Sequence, residues 1–147
     1  MENVKKPRAR TLTFEVPSSR PAPARARRSK FQAMPECIFC SIIARKTPGR
    51  IVFEDNLVVA IEDIRPQAPV HLLVMPRAHV DSLNDLKPED ESLLGRLFIV
   101  AAGLARERGL DTKGYRTVIN NGAWAGQSVV HLHVHVMGGR VFHWPPG

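Results

Sequence analysis

The sequence predicts an α+β fold, five antiparallel strands carrying two helices packed on one face. Three observations carry that expectation. Apolar residues recur in short runs bounded by Gly, Pro, Asn or Asp; the runs follow one another through hairpin-type or short connections; and a single long stretch between Pro88 and Gly109 is helical in period. The alternating β/α order of a parallel dinucleotide-binding sheet is therefore excluded. A chain of 147 residues is one domain's worth, long enough to bury a core without covalent staples.

Taken in order, CIFCSIIARK has apolar side chains at 38, 39, 42 and 43, a helical stripe, and TPGR ends it with Pro48 and Gly49. IVFE and LVVAIED read as two strands joined in a hairpin across Asp55 and Asn56, with Asp63 closing the second. RPQAP is a connection, and HLLVMP is a strand stopped by Pro76. Pro88 then opens a helix whose first turn holds Glu89, Asp90 and Glu91, where the dipole favours anions. Leu93, Leu94, Leu97, Val100, Ala101 and Leu104 form its buried stripe, and Arg106, Arg108 and Gly109 end it. YRTVIN is the fourth strand, NGAWAGQS a glycine-rich loop, and VVHLHVHV the fifth strand.

Charge separates the chain into two parts. The net charge of +7 sits entirely in residues 1–34, where nine Lys or Arg face only Glu2 and Glu15; the remainder holds twelve of each sign. With PSSRPAPARARRSK at its centre, that tail is Pro-, Ala-, Arg- and Ser-rich and aperiodic, so it is expected to be disordered and to precede a folded domain over residues 35–147. It fits a solvated leader, an organellar transit peptide, a nuclear-import patch or a nucleic-acid-binding arm. The expected location is the cytoplasm or nucleus, or a mitochondrion or plastid if the tail directs import. Nucleic acid is not an expected partner of the neutral remainder. No apolar run approaches the ~18 residues that would cross a membrane.

The chemistry concentrates in HLHVHVMGGR. In an extended strand His131, His133 and His135 share one face, while Leu132, Val134 and Val136 share the other and can pack under the second helix. An ordinary solvent-facing strand would carry Thr, Lys or Glu there. A row of imidazoles close together holds down its own protonation, and neutral imidazole is both a ligand and a nucleophile near pH 7. Just upstream, GAWAGQS brings glycines and the Ser128 hydroxyl, which allow backbone N–H groups close to an anion. An anion cradle beside imidazoles suggests a phosphate ester or amide as substrate.

Cys37 and Cys40, the only cysteines, form C-x-x-C. A thioredoxin-type role needs a parallel βαβ context that this chain lacks. Two thiolates need two further ligands to close a tetrahedral zinc site, and His79 and His131 are the candidates.

HLHVHVM is similar to the His-x-His-x-His motif of the histidine triad family, and GQSVVHLHVHVMGGR with the terminal WPPG resembles its Hint-like branch of nucleoside phosphoramidate hydrolases. VFEDN, DIRPQAPVHLLVMP and the long helix match that branch in order and spacing, so the resemblance runs from about residue 36 to 147. It implies a histidine triad fold that dimerises into a continuous sheet. It also implies cleavage of the P–N bond of purine nucleoside 5′-phosphoramidates through a phosphohistidine, without an organic cofactor.

Position by position, the resemblance makes His133 the nucleophile, His135 the partner of phosphate and leaving group, and His71 an orienting group behind them. Asn120, Gly126, Gln127 and Ser128 fall on the phosphate and leaving-group side, Asp63 on the ribose hydroxyls, and Ile38, Phe39, Ile42 and Ile64 around the purine. Relatives with a CIFC opening hold structural zinc on the two cysteines, a P-x-x-H histidine and the first triad histidine, which correspond to Cys37, Cys40, His79 and His131. Trp144 and its two prolines look like the arm that reaches a partner's active site in the homodimer. Val130 replaces a usual aromatic, Asn121 a common acid, and Trp124 is bulky for the cradle loop. Dinucleoside polyphosphate hydrolysis, or a nucleotide-sensing or scaffolding module with little turnover, are the alternatives.

Overall fold

Alternation inside two central strands determines how the layers stack. Strand β2 (Val58–Glu62) and strand β3 (Val70–Pro76) are apolar on both sides. Val58, Ala60, Leu72 and Val74 pack with Leu97, Val100, Ala101 and Leu104 of helix α2 (Glu91–Glu107). Val59, Ile61, Leu73 and Met75 pack with Phe39 and Ile42 of helix α1 (Ile38–Ile43). The two helices therefore flank opposite faces, not the single face the sequence predicts. A strand apolar at every position must be covered twice.

The computed structural model describes residues 37–146. The tail read over residues 1–34 lies outside them. Strands β1 (Ile51–Glu54), β2, β3, β4 (Tyr115–Val118) and β5 (Val134–Gly138) form one sheet in the order β1-β2-β3-β5-β4, antiparallel throughout. The β1–β2 hairpin turns where expected, because Asp55 Oδ1 accepts the backbone N–H groups of Leu57 and Val58 at 2.8 and 2.7 Å. Its other oxygen takes Arg96 of α2 at 2.8 Å, tying the hairpin to the helix.

Helix α1 stops at Ile43, short of the predicted span, with Arg45 in the left-handed region (φ 61°). Gly49 then passes so close to Ile42 that a Cβ there would meet its methyl at 2.6 Å. Ahead of α2, Pro88–Asp90 makes one 3₁₀ turn, and Asp90 accepts the Lys87 N–H at 2.9 Å. Gly109 ends the helix at φ 67°, the αL position for which glycine is suited. No described helix is long and apolar enough to cross a membrane.

The fifth strand departs most from expectation. It pairs only from Val134, so His131 and His133 precede it. Their segment is drawn off the sheet by Leu132 N–H donating to Val80 O at 2.6 Å and His131 N–H to Val129 O at 2.9 Å. Leu132, Val134 and Val136 still enter the α2 core.

Candidate active site

All three triad histidines lie on the α1 side, but not in one row. His131 and His133 are buried, and Phe39 meets both rings edge-on, with centroids 5.8 and 5.1 Å away. His135 on β5 faces His133 at 4.8 Å and His71 of β3 at 5.1 Å. Asp63, just past β2, is brought to His71 when its N–H donates to His71 O at 3.0 Å.

Neighbouring donors and acceptors decide where each imidazole carries its proton. His133 Nδ1 lies 2.6 Å from the carbonyl of His131, which can only accept; His133 is therefore protonated at Nδ1 and its Nε2 lone pair is free. At His71 the order reverses. The backbone N–H of Gln67 donates to Nδ1 at 3.0 Å, so the proton sits on Nε2, 2.9 Å from His135 Nδ1 and 3.5 Å from Asp63 Oδ2. His135 then accepts at Nδ1 and carries its own proton on Nε2, a buried atom without a hydrogen-bond partner among the described residues. Burial, followed by the like charges of His133 and His71, pushes His135 down to about 4. Burial also lowers His71 and His133, so these three rings are neutral near pH 7.

A separate cluster forms beside it from Cys37, Cys40, His79 and His131, whose ligand atoms all lie within 4.8 Å of one another. His131 Nε2 donates to Pro76 O at 2.9 Å and His79 Nε2 to Asp81 Oδ1 at 2.7 Å. Both Nδ1 lone pairs are thereby turned to the thiols, His131 at 3.5 and 3.6 Å from Cys37 and Cys40, His79 at 3.2 Å from Cys40. A tetrahedral ion with bonds of ~2.3 Å to sulfur and ~2.0 Å to nitrogen sets these edges at about 3.5 Å, so the residues fit a metal. Without a cation, burial and then the Cys37 thiol push Cys40 up to about 11.

Asp63, His71 and His135 also converge within 4.8 Å, yet they do not suit a cation. With the Gln67 N–H fixed on Nδ1, a neutral His71 has no lone pair left at Nε2. Its N–H···N contact with His135 is a hydrogen bond, and the group is an orienting chain.

His133 and His135 help line a cavity of about 250 Å³. It brings together Ile38, Phe39, Ile42, Asp63, Ile64 and Ser128 of the expected residues, with Ile64 (89% exposed) at the rim. His71 stands behind His135. Asn120 and Gly126 are not among its lining residues, and the Gln127 amide is engaged in the loop, accepting from Gly122 N and donating to Asp81 O and Val129 O. Asn121 likewise serves the fold, accepting Leu83 N–H at 2.8 Å. Sequence reasoning missed Ile61, Leu73, Val129, Glu62 and Arg65 in the lining. Strand alternation could have placed Ile61 and Leu73, and Asp81 could have been suspected two residues beyond His79. A backbone donor such as Gln67 N–H has no sequence signature.

A family model described as the HIT domain matches residues 44–142. An uncharacterized HIT-like protein of Synechocystis is 48% identical over 112 residues, 76% of this chain and 97% of that one. Among solved structures, a HIT family hydrolase from Legionella pneumophila superposes with a TM-score of 0.75 at 46% identity, over 76% of this chain and all of that one. A histidine triad nucleotide-binding protein from Candida albicans gives 0.65 at 31% identity, over 76% and 85%. A Zn-bound histidine triad family protein from Mycobacterium smegmatis gives 0.63 at 37% identity, over 71% and 76%.

Proposed function

The chain belongs to the HIT domain family, and from that premise we propose that it hydrolyses the P–N bond of purine nucleoside 5′-phosphoramidates. One observation carries the reading: His133, whose Nε2 lone pair is left free by the Nδ1–H bond, and His135, whose buried Nε2–H has no partner among the described residues, stand side by side in the lining of one cavity of mixed apolar and acidic character. The first is a nucleophile, the second a donor for the charge that gathers on the phosphoryl group in the transition state.

In this reading the purine lies against Ile38, Phe39, Ile42 and Ile64, and Asp63 accepts the ribose hydroxyls. His133 Nε2 attacks phosphorus as the P–N bond breaks. The amine departs with a proton taken from water at the open mouth through the Ser128 hydroxyl. His135 is a neutral electrophile here, because giving up its only proton would leave an imidazolate. Water then attacks the nucleotidyl-His133 intermediate and releases AMP or GMP.

Cys37, Cys40, His79 and His131 would hold zinc, as the chemistry of that donor set favours. The ion would cross-link α1, the loop after β3 and the segment before β5. The exposed β4 edge, with Phe98, Ile99, Tyr115, Val141 and Trp144 exposed around the molecule, supports a homodimer.

A fluorogenic adenosine phosphoramidate tests the hydrolase reading. Wild type is expected to turn it over and, on rapid quenching, to carry label on a histidine; His133→Ala does neither. Equal turnover by both proteins ends the proposal.

A further inference from the structure

The glycine pair and arginine that follow the triad have no part in the chemistry so far. Gly138 lies on Leu110, where a Cβ would meet its side chain at 2.6 Å, and Gly139, at φ 86°, lies on Pro69, where a Cβ would meet the ring at 2.9 Å. Glycine at these two positions lets the end of β5 lie this close to Leu110 and to the PQAP loop. The turn delivers Arg140, whose Nε donates to Gln67 O at 3.1 Å. Its guanidinium is held over the Phe142 ring at 4.2 Å and also donates to Val141 O, so it is anchored.

Gln67 is the residue whose N–H determines the proton position on His71. Its side chain is tied back as well, donating to Arg65 O at 3.0 Å. Arg140 Nε thus holds the carbonyl of the residue whose N–H, across its Cα, bonds His71 Nδ1; His71 Nε2 bonds His135 Nδ1, and the series ends on the buried, unpartnered His135 Nε2–H. No side chain but Arg140 holds the Gln67 carbonyl among the described residues.

We propose that Arg140 is a positioning residue for the reaction, fixing Gln67 so that His71 and, through it, His135 keep the tautomers that carry the proton on Nε2. Arg140 lines a different and larger cleft, of about 670 Å³, with Lys113, Tyr115, Arg116 and Phe142, so it acts without touching the reacting atoms. Arg116 shares that cleft and the Phe142 ring, at 4.9 Å, but donates to His143 O instead. It is the internal control.

The activity arm of the test rests on the phosphoramidase reading; the spectroscopic arm does not. In ¹⁵N-resolved NMR of the imidazoles, wild type and Arg116→Gln are expected to show Nε2–H at both His71 and His135. Arg140→Gln should show mixed tautomers there, and Arg140→Lys, which keeps one donor, should restore the wild-type pattern. Arg140→Gln should lower kcat on the order of tenfold with KM within about twofold, since the defect is in aim and not in substrate contact. Unchanged tautomers in folded Arg140→Gln, or an equal loss of kcat in Arg116→Gln, would overturn the proposal. Lack of turnover by wild type would remove the phosphoramidase reading and leave the tautomer result to decide on Arg140.

Discussion

His131 and His135 stand four residues apart in one segment, and the backbone around them treats the same ring in opposite ways. At His131 the Pro76 carbonyl takes the Nε2 proton and leaves an Nδ1 lone pair beside two thiols. At His135 the donor on His71 occupies Nδ1 and leaves a buried Nε2 proton with no partner among the described residues. The first arrangement suits a metal, the second a phosphoryl oxygen. What separates a ring that offers a lone pair from one that offers a proton is thus the partner of the other nitrogen, a carbonyl in one case and an N–H in the other.

Four substitutions test the difference between the two rings. The largest effect belongs to His133→Ala, expected to cut phosphoramidate turnover by at least about 10³-fold, as removing a nucleophile does. His71→Ala releases His135 Nδ1 and is expected to lower kcat by roughly 10- to 100-fold through lost orientation. Metal content, read by atomic emission on the same sample, should not change; if zinc falls with it, the two clusters are one unit.

Cys40→Ser acts on the other side. Wild type should hold about one zinc per chain and the variant far less, with Tm lower by roughly 10 °C as the cross-link is lost. Absence of stoichiometric zinc from wild type would end the metal assignment.

The smallest effect is on stability against pH. His135 is held at about 4 against its ordinary 6.5, so between those values the unfolded chain binds a proton that the native one refuses. The stability from keeping this ring neutral is complete above 6.5 and is lost as pH falls through that window. His135→Asn should flatten the urea-unfolding profile there by at most roughly 1.4 kcal/mol per pH unit. An unchanged slope would mean that His135 titrates normally.

Much of this was legible in the residues. Periodicity located both helices and the first four strands within a few residues, because Pro88, Gly109, Asp55 and Pro76 act on the backbone locally. The cysteine pair and the two distant histidines could be grouped through the resemblance, and the structure places their ligand atoms together. The start of β5 was not legible, since the contact that draws Leu132 off the sheet comes from Val80, over fifty residues away in sequence. Nor was the second helical layer: continuous apolar runs in β2 and β3 state that both faces are covered without saying by what.

Composition and order specify which side chains are available: five imidazoles and two thiols for two clusters, an acid just past the second strand, and glycines where the chain must turn closely. Tertiary structure alone decided what each imidazole can do. Tautomer and exposure depend on backbone donors and acceptors at Gln67, Pro76 and His131, and every residue other than proline offers the same N–H and C=O. Their direction is set only when the fold brings the strands together.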